Sequence, residues 1–267
     1  FIKEDFNCNT VDYLVYPSTN GNGTEIPDDI AAKLISYDVI IAITTYSLTH
    51  TRARENACNN GARIASMPGF EINMLMPNSV MDTDYYIMAQ KTIKMSERLT
   101  EAKIARVTTK LGTDITFSIN NRIGGASTGL FINKGESGNL PGAEAYIAPI
   151  EETANGKIVI PAGWHPNLKE KMELVFIDGY VSSVKEGGEV GQYYKNILCF
   201  KNETEKHRRN CAELGIGTND KAKTQDNILE AEKILGTVHI AVGDNSHLGG
   251  IIESDIHEDF VIPYPTL

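Results

Sequence analysis

The spacing of apolar residues changes along the chain, and it predicts two kinds of structure. Pro27–Tyr37 (PDDIAAKLISY) reads as a helix, with Pro at its entry and acids in the first turn, where a helix N-terminus favours negative charge. Asp38–Thr44 (DVIIAIT) is a continuous apolar run rich in β-branched residues, the pattern of a strand buried on both faces. After the polar Thr45–Thr51, the sequence predicts a helix over Arg52–Asn60 stopped by Gly61, then a strand over Ala62–Met67 ended by Pro68-Gly69. Strand, helix, strand is a βαβ unit, which implies a parallel pair with a right-handed crossover. Asp12–Tyr16 is a further strand candidate and Thr83–Thr100 a second amphipathic helix.

Beyond Lys103 short β-rich runs separated by Gly-rich turns take over. They are Ile104–Thr109, Ile115–Asn120, Thr128–Asn133, Ala143–Ala148, Lys157–Pro161, Met172–Ile177 and Tyr180–Lys185, with Asn155-Gly156 and Asp178-Gly179 as hairpin signals. Such spacing suits an antiparallel sheet or barrel. The expected fold is α+β: an α/β N-terminal domain with a parallel βαβ unit over residues 1–102, and a β-rich C-terminal domain over residues 103–267.

Composition narrows the function classes. With 25 basic against 35 acidic residues the formal net charge is −10, which argues against the basic footprint that nucleic acid requires. The short cluster Lys206–Arg209 reads as a solvated turn. No run of 18 apolar residues predicts a membrane span. Cys8, Cys58, Cys199 and Cys211 lie far apart without CxxC spacing, which reads as reduced thiols and a cytoplasmic setting.

The candidate chemistry gathers near the C-terminus. Thr237–Gly243 (TVHIAVG) is a strand pattern carrying His239. In Ser254–Val261 (SDIHEDFV), extended backbone puts His257 and Asp259 on one face, about 7 Å apart along the chain. An imidazole beside a carboxylate suits a divalent cation with mixed nitrogen and oxygen ligands, although such pairs are often only hydrogen-bonded surface pairs. Glu144 sits in an apolar run between Pro141 and Pro149, and Glu213 just before Gly215 and Gly217. A carboxylate in apolar surroundings is costly unless paired or metal-bound, while the plain alternative is an edge-strand acid facing water. His50 and Arg52 follow a buried strand, where α/β proteins bind ligands, and they are candidates for contacting a substrate carboxylate.

Taken in order, Asn139–Pro149, Glu213–Asn219, His239–Gly243 and Ser254–Val261 resemble the signature segments of the thermophilic-type metallo-aminopeptidases, the aminopeptidase T and aminopeptidase S family. Thr44–Gly69 also resembles that family's first domain, so the similarity covers nearly the whole chain. The resemblance implies a metal-dependent hydrolase that releases N-terminal residues from peptides, a C-terminal β-rich domain with two adjacent divalent metals (Zn, Co or Mn), and a homodimer. It places the metal ligands on Glu144, Glu213, His239, His257 and Asp259, with Glu144 or Glu213 bridging the metals or acting as general base. It also implies that the family's first strand and helix are missing ahead of this sequence.

One position departs from the pattern. The family's catalytic tyrosine follows the first histidine by seven positions, and that place is Ser246, which leaves Ser246 and His247 as candidates for its proton-donor or oxyanion task. The interval of 18 from His239 to His257 is also short for the peptidases. A second branch of the same superfamily resembles 2,5-dihydroxypyridine dioxygenase, a non-haem Fe(II) enzyme that opens an aromatic ring. In that reading a mononuclear site forms on His239, His257 and Asp259, with a small aromatic substrate in place of a peptide. A non-catalytic metal-binding relative is the third expectation.

Overall fold

The computed structural model describes residues 10–49 and 51–267. The chain forms two compact units: one runs to Pro68 and takes in Phe131–Gly138, and the other comprises Gly69–Leu130 and Asn139–Leu267.

In the first unit, α1 (Asp28–Leu34), β1 (Val39–Thr44), α2 (Arg52–Asn59) and β2 (Arg63–Pro68) follow the predicted order. β1 and β2 pair in parallel, Ile40 opposite Ile64, as a βαβ unit requires. Thr51 caps α2 by accepting from the Arg54 N–H at 3.2 Å. Ile40 and Ala42 pack with Ile30, Leu34 and Ala57, whereas Val39, Ile41 and Ile43 stay exposed, so β1 is buried on one face rather than the expected two. The three-stranded sheet has the order β1-β2-β6, with β6 spanning Ser137–Asn139, so β1 and β6 are its two edges. Asp12–Tyr16 forms no strand.

In the second unit, α3 (Tyr85–Glu101) starts at Asp84, whose carboxylate accepts from the N–H groups of Tyr86 and Ile87 at 3.0 Å each. The helix packs on β5 (Gly125–Ser127) and β7 (Glu144–Ile147). Thr92 on its buried side meets Thr218 at 2.7 Å. These contacts make α3 part of the β-rich unit, so the division falls at Gly69 and not near residue 102.

Two five-stranded antiparallel sheets build the rest. The first has the order β10-β9-β8-β4-β3, from β3 (Ile104–Thr108), β4 (Asp114–Ser118), β8 (Asn155–Ile160), β9 (Met172–Ile177) and β10 (Tyr180–Glu186). Asp178 and Gly179 close the β9–β10 hairpin with φ of 47° and 83°, the positive values a two-residue turn of this hand needs. Asn155-Gly156 is no turn and instead opens β8. Gly156, at φ 129°, is there because a Cβ would overlap the Asp114 carbonyl of the neighbouring strand. Thr128–Asn133 is irregular, and α4 (Gly188–Ile197), which begins among glycines, is a helix the sequence pattern hid.

The second sheet has the order β13-β12-β11-β7-β5, with β11 (Cys211–Gly217), β12 (Val238–Gly243) and β13 (His257–Ile262). Period-two alternation divides it by chemistry. Ala145 and Ile147, Leu214 and Ile216, Val238 and Ile240, and Phe260 and Ile262 all enter the core shared with Ile115, Phe117, Ile158 and Leu174 of the other sheet. The intervening positions of the same strands carry Glu144, Glu213, His239, His257 and Asp259, so the core packing fixes the register that holds all five on the opposite face.

Candidate metal centre

Cross-strand rows set the arrangement. One row runs Glu213–Ala241–Asp259, and the next on that face runs Tyr146–Gly215–His239–Val261. Small residues lie between the functional ones: Ala241 separates the two carboxylates, and Gly215 stands opposite His239. A Cβ at Gly215 would overlap the His239 ring, so the glycine lets the imidazole lie flat across β11. Gly125 does the same for the Tyr146 ring, and Gly217 lets the backbone at Lys233 and Ile234 cross the sheet.

The structure brings the five predicted ligands together. His239 Nε2 lies 3.6 Å from Glu144 Oε2, 3.6 Å from Glu213 Oε1 and 3.9 Å from Asp259 Oδ1. His257 Nε2 lies 3.0 Å from Glu213 Oε2 and 3.8 Å from Asp259 Oδ1. Most of these separations are too long for hydrogen bonds. They match ligand atoms that share one cation at about 2.0–2.2 Å each. Asp259 Oδ1 and His239 Nδ1 are buried without a hydrogen-bond partner, and an orphaned carboxylate oxygen aimed into a carboxylate–imidazole cluster fits a metal. Ligand-atom geometry groups Glu213, His239 and Asp259, and separately Glu144, Glu232 and His239.

The electrostatics are those of a site built around positive charge. Burial opposes ionisation of Glu213, but His239 and His257 outweigh it and hold the carboxyl well below its ordinary range. Burial likewise opposes charging the imidazoles, yet Glu213, with Asp259 close by, raises His239 to about 9 and His257 to about 10. Burial pushes Glu232 up to about 8.

A supporting layer fixes the ligands. The Asp244 carbonyl oxygen takes a 2.7 Å hydrogen bond from His257 Nδ1, which turns Nε2 towards Glu213 and Asp259. Asp244 is itself held by the Ser254 N–H at 3.0 Å and by Ser246 Oγ at 3.0 Å. Ser246 therefore braces a loop. His247 bonds Asp244 at 2.8 Å and sets its ring edge-on to His257, with centroids 5.2 Å apart. Arg52 lies in the first unit, where its N–H donates to Glu25 at 2.6 Å, and His50 falls outside the described residues.

Sequence reasoning missed three residues. Tyr146 shares a row with His239, and burial together with the Glu213 and Glu144 charges raises its phenol. Glu232 and Lys233 follow the short helix α5 (Ile228–Ala231). Lys233 is fully buried, with Nζ 2.7 Å from Glu144 Oε1 and in a short bond to Glu232. Their segment is clamped by the Asn219 N–H, which donates to the Lys233 carbonyl at 2.8 Å. The only signal was a charged pair inside ILEAEKIL, which periodicity assigns to a solvated helix face. The thiols of Cys58, Cys199 and Cys211 are free, and among the described residues no helix is long and apolar enough to cross a membrane.

Comparison with known proteins adds three findings. The family model described as NicX, 2,5-dihydroxypyridine 5,6-dioxygenase, matches residues 18–267. No curated protein matches the chain in sequence. Among solved structures, the 2,5-dihydroxypyridine dioxygenase from Pseudomonas putida KT2440 is similar at a TM-score of 0.69 and 18% identity, covering 88% of this chain and 69% of that one. Wild-type AmpT from Thermus thermophilus is similar at 0.64 and 13%, covering 88% and 72%. At these identities both structures attest the mixed α/β fold with several sheets, and nothing finer.

Proposed function

The chain belongs to the 2,5-dihydroxypyridine 5,6-dioxygenase family, and from that premise we propose that it is a metal-dependent ring-cleaving dioxygenase acting on a dihydroxylated pyridine or a closely related aromatic diol. The family assignment favours this branch over the aminopeptidase branch that the sequence motifs put first. Carrying the reading is one observation: two imidazoles and the orphaned Asp259 carboxylate converge on one sheet face, with Glu213 between them. Two histidines and one carboxylate suit a non-haem Fe(II) centre with open positions. Such an ion, when bound, supplies oxygen activation and a place to anchor the diol oxygens.

The chain's own groups supply the rest. His239, His257 and Asp259 hold the ion, and Asp244 keeps His257 in the required tautomer. The phenol of Tyr146, raised by burial and by the neighbouring Glu213 and Glu144 charges, stays protonated beside the carboxylates. The core beneath the sheet keeps the ligands rigid, and burial of His239 and Glu213 keeps water from competing for them.

The hydrolase reading retains one feature, the Glu144–Glu232–His239 group, which offers ligand types for a second ion. Parallel assays separate the two. With Fe(II), the protein should consume oxygen in the presence of 2,5-dihydroxypyridine. With Zn, Co or Mn, it should leave a leucyl anilide intact. Anilide cleavage without oxygen uptake would reverse the assignment.

A further inference from the structure

We propose that Lys233 is a built-in cation that takes the place of a second metal ion and so holds this centre to one ion per chain. The inference rests on the metal-site reading above and extends it to the metal count.

Four carboxylates crowd the site face: Glu144, Glu213, Glu232 and Asp259. Glu213 and Asp259 lie with His257 on one side of His239, while Glu144 and Glu232 lie on the other and form their own ligand-type group with His239. A second ion would have to use the oxygens of Glu144 and Glu232. Lys233 Nζ already takes one oxygen of each, 2.7 Å from Glu144 Oε1 and in a short bond to Glu232 Oε1. The ammonium is fully buried, and a buried charge of this kind persists only when paired. Its placement is enforced from two sides. The Lys233 carbonyl is tied to the Asn219 N–H, and Gly217 carries no Cβ, which would collide with the backbone at Lys233 and Ile234.

The ammonium and a second ion are alternatives at this place, because Lys233 Nζ sits against Glu144 Oε1 and Glu232 Oε1.

The test is metal stoichiometry, which needs no catalysis. Full-length protein is loaded with Mn(II) or Zn(II), desalted and measured by elemental analysis. The wild type should hold one ion per chain, and Lys233→Met should hold two, because Met keeps the stem and removes the Nζ. Lys233→Arg, which keeps the charge, should hold one. Two ions on the wild type would overturn the proposal without any variant. One ion on a Lys233→Met protein whose circular dichroism matches the wild type would overturn it as well. If Lys233→Met does not fold, Lys233→Gln takes its place and should hold two ions, and one ion on the folded Lys233→Gln protein would refute it. If the wild type binds no metal, or His257→Ala binds as much as the wild type, the underlying site reading fails instead.

Discussion

Gly215 gives the sharpest test of how the sheet makes the site. Its neighbour across the strand pair is His239, and a methyl at Gly215 would sit inside the van der Waals envelope of the imidazole at Cε1 and Nε2. The backbone there is ordinary strand, so Gly215→Ala introduces a clash without demanding an unfavourable φ. Overpacking of this kind costs about 1–3 kcal/mol. The melting temperature should fall by roughly 2–4 °C for each kcal/mol in a protein of this size. If the ring moves to relieve the overlap, metal affinity falls by about 5- to 150-fold for the same energy. Calorimetric melts and a competitive chelator titration read the two effects. The same substitution in a His239→Ala background should cost less than about 0.5 kcal/mol, because its partner is gone. A Gly215→Ala protein that melts and binds metal like the wild type, or that loses as much in the His239→Ala background, would refute the reasoning.

Three further outcomes follow from the same structure. Arg122 pairs with Glu151 at 2.5 Å, both side chains largely buried, and Glu151 also accepts from Asn245 and the Ile251 N–H at 2.9 Å each; Arg122→Ala should cost about 3–5 kcal/mol in denaturant unfolding, and a loss under about 1 would contradict a buried pair. Thr92→Val leaves the buried Thr218 hydroxyl without its 2.7 Å partner and should cost about 1–3 kcal/mol in the same assay, whereas a neutral result would show that Thr218 finds another partner. Lys185 and Lys157 hold the Glu173 carboxyl below its ordinary 4.5, so its contribution is full above that pH and is lost as the pH falls through the lowered folded value; the stability gap between wild type and Glu173→Gln should be flat near neutrality and close in acid, and a gap that widens in acid would reverse the sign.

The parts legible in the sequence were those with a single physical cause. The parallel β1–β2 pair followed from a helix between two apolar runs, and the Asp178-Gly179 hairpin from the backbone angles those residues permit. His257 and Asp259 share a face because strand side chains alternate, and that was readable from HED alone. The one-sided burial of β1 was not readable, because VIIAIT looks the same whether one face or two are covered. The domain division was hidden because α3 is amphipathic by itself and only its packing on β5 and β7 assigns it. Lys233 was hidden for a similar reason: a lysine is read as solvated until two carboxylates, one of them 89 positions away in Glu144, are brought to it by the fold.

The central claim is dioxygen chemistry at one metal centre, and isotope labelling tests it most directly. Fe(II)-loaded protein is supplied with 2,5-dihydroxypyridine under ¹⁸O₂, and the ring-opened product is weighed by mass spectrometry. The account predicts two labelled oxygen atoms per product molecule, with no product from His257→Ala. Product that carries no ¹⁸O, or turnover that persists without oxygen, would contradict it and return the chain to the hydrolytic branch.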